Sequence, residues 1–323
     1  MPSDVDMIAE RYRAWADVEA RGSSPTYERL ARAMADHEQV MGLLSTVEPG
    51  KRQPNLLFGA LRWLDVPVAE PGLAVEALLD RWPEVLTVIT TRRTQTNEVA
   101  RCAVLLPALA SLEAPLAVVE VGASAGLCLM VDQWRYRYRT SDGDLVLGAP
   151  DSPLTLDCAV TGQVALPTAV PQVAWRQGLD VEPVDPSDPD ARRWLRCLVW
   201  PEHTERAARL DLALQHAAEH PVQVTAGDLV DDLPAQLERV PPGATPVVMH
   251  SATLAYVDAD RRAAFLEVIQ EFGAHRVGAE GPRVLPHLAA QLPDDVGGRF
   301  VVSVDDRVVA LAGAHGDELV ALP

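Results

Sequence analysis

Residues 118–131 read VVEVGASAGLCLMV. An apolar run of strand character enters a loop of small residues, Gly122-Ala123-Ser124-Ala125-Gly126, and an apolar run of helical character leaves it. A strand that turns on small residues into a helix opens a β–α unit, so the stretch points to a sheet with helices on its faces. The loop itself fits three templates. As G-x-S-x-G it has the spacing of a nucleophile elbow, with Ser124 as the hydroxyl of a serine hydrolase. As a dinucleotide loop, G-x-G-x-x-G, it needs a third glycine at position 127, which is Leu127. As acid-x-G-x-G-x-G with serine in the middle slot, it cradles a nucleoside-type cofactor. Glu120 then ends the strand, and Gly122 and Gly126 let the backbone approach a ligand with no Cβ in the way.

Working outward, the chain alternates strand and helix. Short β-rich runs fall at 117–121, 173–181, 222–228 and 245–251. Helical patterns lie between most of them, over 126–138 (GLCLMVDQWRYRY), 190–220 and 258–274. The segment 140–172, rich in Gly, Pro, Asp and Thr, interrupts the alternation and reads as a β-type insertion. The C-terminus reads as strand, a turn at Asp305-Asp306, and strand. Residues 1–113 are helical throughout. Ser24 is placed to cap a helix whose first position is Pro25, and Pro54 starts another in the same way. TNEVARCAVLLPALASL (96–112) gives a further helix, capped by Thr96 or Asn97 and interrupted at Pro107. The expected architecture is α/β: a helical N-terminal domain over 1–113, then a mostly parallel sheet over 114–323 with an antiparallel C-terminal hairpin.

Composition removes several function classes. Of 323 residues, 48% are hydrophobic and 23% charged, a globular balance, and the net charge is −18. Such an acidic chain is a poor partner for nucleic acid or anionic membranes, which are bound by excess Lys and Arg. No 18-residue apolar run and no basic-then-apolar leader occur, so a cytoplasmic protein is expected. The four cysteines, Cys102, Cys128, Cys158 and Cys197, are widely spaced and read as free buried thiols of a reducing compartment.

The motifs after the loop fall in an ordered series. GLDVEP (178–183) ends the second strand, AGDLVDDLP (226–234) the third, VVMHSATLAYVD (247–258) the fourth and VGAEGP (277–282) the fifth. With VVEVGASAGL, this series resembles class I S-adenosylmethionine-dependent methyltransferases, whose sheet is Rossmann-like. The resemblance implies S-adenosylmethionine as cofactor. It implies a cradle of Glu120, Gly122, Ala123, Ser124, Gly126 and Leu127, with Asp180 at the ribose. Gly227, Asp228 and Leu229 are implied near the adenine, with His250 and Ser251 near the methyl group. Asn97 and Arg101 would wall the cofactor or grip a carboxylate, a role open to Arg92 as well. His250 is the implied general base, with Glu280 and Tyr256 as further catalytic candidates. The acceptor would be a small molecule, its pocket built by the helical domain and the 140–172 insertion, and no metal is required. Over nearly the whole chain, EARGSSPTYERLA, RQPNLLFGALRWL, TRRTQTNEVARCAVLLPAL and WLRCLVWPEH also resemble segments of a bacterial domain-of-unknown-function family grouped with methyltransferase-like folds.

Other constellations compete. A non-catalytic protein that binds the same cofactor or another nucleoside fits the same loop. A hydrolase would need Asp258 with His287, or Asp305 with His315, to complete a triad with Ser124. His216-Ala217-Ala218-Glu219-His220 has H-x-x-E-H metal spacing, but Pro221 follows at once and the stretch reads as a helix end. WRYRYR (134–139) alternates aromatic and basic residues and reads as the end of an amphipathic helix.

Overall fold

The computed structural model describes residues 3–322 and divides into two compact units. One comprises residues up to Thr96 together with Asp188–Asp211; the other comprises Asn97–Ser187 and the chain from Leu212 onward. The helical run read over 1–113 is therefore divided at Thr96, and the helix after it clusters with the sheet.

The first unit contains α1 (Asp4–Trp15), α2 (Pro25–Ala35), α3 (Glu38–Ser45), α4 (Pro54–Trp63), α5 (Pro71–Asp80) and α6 (Trp82–Thr91). The returning segment adds α8 (Pro189–Leu198), which packs on α4. Ser24 caps α2, its hydroxyl accepting the Tyr27 N–H at 3.2 Å, and Pro25 and Pro54 open their helices at positions where a missing N–H costs nothing. The core gathers Tyr12, Tyr27, Leu30, Phe58 and Leu61 with Trp194 from α8. Gly59 is required there, because a Cβ would lie 2.9 Å from Leu198 and 3.2 Å from the Trp194 ring.

The second unit is an α/β body around a mixed, mostly parallel sheet. Its strands are β1 (Leu116–Val121), β2 (Arg135–Thr140), β3 (Gly143–Leu147), β4 (Thr155–Thr161), β5 (Val173–Asp180), β6 (Val224–Ala226), β7 (Thr245–Ser251), β8 (His275–Glu280), β9 (Phe300–Val304), β10 (Arg307–Ala312) and β11 (Glu318–Val320). They lie in the order β3-β2-β4-β11-β10-β9-β8-β7-β1-β5-β6. The five strands β6-β5-β1-β7-β8 are parallel, and the expected antiparallel hairpin β9–β10 follows, with β9 against β8. Helix α7 (Arg101–Ala110) packs on β4, β8 and β9. The α9 helix (Thr204–Glu219) begins in the first unit and ends in this one, which also holds α10 (Leu233–Leu237) and α11 (Ala259–Glu271). On the α11 face, Val119, Val121, Val248, Phe265 and Ile269 form one apolar cluster.

One expected helix is absent. The chain leaves the glycine loop through a short 3-10 turn, Cys128–Met130, and enters β2 at Arg135. WRYRYR is a strand because its apolar residues recur every second position, not every third or fourth. Trp134, Tyr136 and Tyr138 are fully buried, while Arg137 and Arg139 face solvent. Tyr138 donates its hydroxyl to the Ala103 carbonyl of α7 at 2.7 Å. The insertion is β-type as expected but starts near 135, and it extends the sheet beyond the hairpin through the β4–β11 pairing. Within it, β4 packs on α7.

Candidate functional site

The strand order reverses at β1, which has β5 on one side and β7 on the other. Ligands of open α/β sheets bind at such a switch point, beyond the carboxyl ends of the strands. The glycine loop sits there.

Three loop residues take left-handed backbone: Gly122 (φ 72°), Ser124 (φ 48°) and Gly126 (φ 71°). Ser124 therefore adopts a left-handed conformation that glycine takes more readily, which carries a strain of about 1–2 kcal/mol. Its neighbours hold it there. The Ser124 N–H donates to Asp180 Oδ2 at 2.8 Å. Asn97 grips the loop twice: its Nδ2 donates to Ser124 Oγ at 2.9 Å, and its Oδ1 accepts the Ala125 N–H at 3.1 Å. Asn97 is thus no helix cap. The helix starts four residues later, at Arg101, with Ala100 in the cap position and no side-chain cap bond.

The other loop amides are also satisfied internally. Gly122 and Ala123 donate to the Leu179 carbonyl, and Gly126 donates to that of Ala123. No N–H of 122–126 is left to form an anion nest or an oxyanion hole. Neither expected triad assembles: Asp305 pairs with His275 at 2.9 Å, His287 with Asp306 at 3.2 Å, and Asp258 caps α11. The glycines serve internal packing. A Cβ on Gly122 would collide with the Thr253 side chain, and one on Gly126 would lie 2.5 Å from Val222. Thr253 was not singled out from sequence, because nothing in HSATL marks a residue that folds back over the loop.

The sheet register sorts the remaining candidates. Partners in register point to the same face. Glu120 pairs with Gly178, so Glu120, Gly178 and Asp180 share the α7 face. Val121 pairs with His250, and His250 with Gly278, so His250, Gly278 and Glu280 share the α11 face. The two sets read from sequence as one constellation lie on opposite faces.

On the α7 face, Glu120 is 5% exposed and its Oε2 has no hydrogen-bond partner. Burial pushes its carboxyl well above the usual range. The Cys128 and Asp180 charges push the same way, and Arg101 and the Leu129 backbone partly offset them. Asp180 accepts from Ser124 N–H on one oxygen and from Glu182 N–H at 2.8 Å on the other. Arg101 is buried and donates to the Ala314 carbonyl at 3.0 Å, with longer contacts to the Ser251 carbonyl and hydroxyl at 3.4 and 3.5 Å. Among the described residues it has no carboxylate within 4.0 Å. Leu127 is buried beside the loop.

On the α11 face, His250 is 0% exposed. Its Nδ1 meets Glu280 Oε1 at 2.8 Å, its Nε2 has no partner, and its ring stands edge-on to Phe265. Gly278 leaves the space that the imidazole fills. Burial keeps His250 below the usual histidine value, although the hydrogen bond and charge of Glu280 act the other way. The same Glu280 oxygen accepts the Thr253 and Leu254 N–H groups at 3.0 and 3.1 Å. The pair therefore fixes the turn after β7, where Ala252 is left-handed (φ 51°) and Thr253 reaches Gly122. A base would need to reach an acceptor; this imidazole is fully enclosed by the protein. Tyr256 is 83% exposed, in the 3-10 turn Leu254–Tyr256.

The third-strand candidates form a tied loop. Asp228 accepts the Val230 and Asp231 N–H groups and pairs with Arg261. A Cβ on Gly227 would lie 2.8 Å from Asp232 Oδ2, and Leu229 is half-buried. Arg92 lies in the helical unit, over the Trp63 ring and paired with Asp190. His216 stacks on His220, and its Nε2 lies 2.7 Å from Gln133 Oε1; among the described residues no metal-holding cluster occurs. No described helix is long and apolar enough to cross a membrane.

No curated protein matches the chain. The pattern of one bacterial family, described as "Uncharacterized protein conserved in bacteria (DUF2332)", matches residues 9–319, helical unit and sheet alike, so the chain belongs to that family.

Proposed function

We propose that the chain is an S-adenosylmethionine-dependent methyltransferase with a Rossmann-like sheet, acting on a small-molecule acceptor. One observation carries the reading: a buried carboxyl, Glu120, keeps an unpartnered oxygen beside a left-handed glycine-type loop at the switch point of the sheet. A buried acceptor without a partner is costly, so it fits a ligand that brings a donor or a cation. The cofactor's ammonium group is such a cation. The satisfied loop amides favour a cofactor without phosphate for the same reason. Asp180 retains lone pairs for ribose hydroxyls, and Arg101 offers a buried guanidinium to a carboxylate. When bound, S-adenosylmethionine would supply a methyl group already activated on a sulfonium. The chain's contribution would be orientation and exclusion of water, with the His250–Glu280 pair holding the 251–254 turn and contributing no proton transfer.

A second reading, cofactor binding without transfer, is favoured by the complete burial of His250. Calorimetric titration with S-adenosylhomocysteine tests both. Binding that is lost in Asp180→Ala and weakened in Glu120→Gln supports the site. Turnover of S-adenosylmethionine against a panel of small acceptors then separates transferase from binder. Absence of binding, with Ser124 labelled by a fluorophosphonate, overturns both.

A further inference from the structure

His315 forms no triad with Asp305, which pairs with His275, yet the fold carries it to the residues that hold the glycine loop. It lies in the turn between β10 and β11, where the Gly316 N–H donates to the Gly313 carbonyl at 3.0 Å. That turn rests on the start of α7. A Cβ on Gly316, which is left-handed (φ 77°), would lie 2.2 Å from the Ala100 carbonyl oxygen. The Ala314 carbonyl accepts from Arg101 Nε at 3.0 Å, and Arg101 Nη1 lies 3.4 Å from the Ser251 carbonyl at the end of β7. His315 Nδ1 stands 4.0 Å from Glu98 Oε2. Glu98 directly follows Asn97, which clamps Ser124 and Ala125.

We propose that His315 is the general base of the methyl transfer, with Glu98 positioning its imidazole, and that the acceptor carries its nucleophilic atom as an O–H or N–H. The assignment rests on the methyltransferase reading. Exposure separates this histidine from His250: its side chain is 44% exposed, that of His250 0%. The exposed part is the edge away from Glu98, because Nδ1 itself is buried. Glu98 is buried and held in place, its Oε1 accepting the Ala100 N–H at 3.2 Å. A carboxylate facing one ring nitrogen favours the tautomer with the proton there and leaves the lone pair on the other nitrogen. At 4.0 Å the pair is looser than a hydrogen bond, and such catalytic pairs tighten when substrate binds.

In the transfer, the acceptor atom forms a bond to the methyl carbon while the sulfur–methyl bond breaks and its electron pair stays on sulfur. The sulfonium becomes a neutral thioether. The acceptor's proton goes to His315 Nε2, and Glu98 stabilises the imidazolium that results. The exposed ring edge then returns the proton to water. An acceptor that arrives as a carboxylate has no proton to lose and gains nothing from this pair, so the dyad sets the substrate class.

The test uses the full wild-type chain with its His315→Gln and Glu98→Gln variants. Nitrogen–proton correlation NMR of the histidine rings, with His315 assigned by its loss in His315→Gln, reads the neutral tautomer without any cofactor. The expected result is a proton on Nδ1 in the wild type and a shift toward the Nε2–H form in Glu98→Gln. Methyl transfer is then measured to phenol, amine and carboxylic acid probes. His315→Gln should lower transfer to a phenol or an amine about 100-fold or more. The proposal is overturned by an Nε2–H ring in the wild type, by a tautomer that Glu98→Gln leaves unchanged, or by transfer in His315→Gln within about tenfold of wild type. Transfer to carboxylic acids alone, or to no probe, overturns it as well. Calorimetry separates the causes. A wild type that does not bind S-adenosylhomocysteine removes the methyltransferase reading, whereas binding with the wrong tautomer removes the base alone. Because the His315 side chain is half-exposed and the wild-type tautomer needs no variant of Glu98, a Glu98→Gln chain that fails to fold does not blunt the test.

Discussion

Replacing Asn97 by alanine should loosen the glycine loop far more than replacing the serine it holds. Asn97→Ala deletes the bonds to Ser124 Oγ and from Ala125 N–H, at 2.9 and 3.1 Å. Each contributes about 1 kcal/mol net, and the Ala125 N–H, in a residue 1% exposed, is left unsatisfied for a further 1–2. The expected loss is about 3–4 kcal/mol. Ser124→Gly loses only one of these bonds, about 1 kcal/mol, and adds chain flexibility worth about 0.5–1, but it relieves a left-handed strain of about 1. Its net cost should be about 1 kcal/mol or less. Because the chain forms two compact units, a global midpoint alone does not isolate the effect. Hydrogen exchange of the 122–126 amides, read beside urea unfolding, does. In the Ser124→Gly background, Asn97→Ala should cost about 1 kcal/mol less than in wild type, because one of its two bonds is already gone. An Asn97→Ala effect below about 0.5 kcal/mol, or a Ser124→Gly cost larger than that of Asn97→Ala, would refute the clamp.

Two further outcomes follow from buried groups. Glu120 has its carboxyl raised by burial, so its contribution to stability is fully present below the unfolded-state carboxyl value and is lost as pH rises through the folded-state value. Glu120→Gln should therefore match wild type in acid and become the more stable protein toward neutral pH, in thermal melts across pH 5 to 8 (roughly the span that brackets the effect); parallel curves at all pH values would contradict it. Gly278→Ala puts a Cβ into the His250 ring, and should cost about 2–3 kcal/mol by overpacking and slow refolding of the 251–254 turn, with unchanged stability as the refuting result.

The sequence is most legible where one local rule acts alone. Ser24-Pro25 opens a helix because cap and first-turn requirements concern only neighbouring residues. The strand-loop series around Glu120 and Asp180 is legible because buried parallel strands read as apolar runs, here ending in an acidic residue. WRYRYR misleads by its place after a glycine loop, where a helix usually follows; its period of two is the better guide, and Tyr136 and Tyr138 pack accordingly. His250 misleads for a different reason. A histidine at a strand end looks available, and only the register with Val121 and Gly278 assigns it to the α11 face, away from Glu120. Asn97 and Thr253 act through long-range contacts that no spacing rule encodes.

Hydrogen-bond accounting at the switch point narrows the ligand chemistry beyond what the motif does. A glycine-rich turn is commonly read as an anion cradle because its N–H groups converge. Here Leu179, Asp180, Asn97 and Ala123 accept the five loop N–H groups, so an incoming phosphate would have to displace protein acceptors. What stays unsatisfied on the α7 face is of the opposite kind: an oxygen of Glu120, beside a buried Arg101 that lacks a carboxylate partner. A buried carboxyl whose surroundings favour its neutral form and a buried guanidinium, each lacking a full partner, are held near one another but not joined. Direct pairing would have been the simpler arrangement if their role were structural, since an unpaired buried charge costs several kcal/mol. A ligand with an ammonium and a carboxylate on one carbon would satisfy both groups at once, and a purely anionic ligand at most one. On the proposed reading, the amino-acid end of the cofactor, more than its nucleoside end, would therefore be the part that these two groups distinguish.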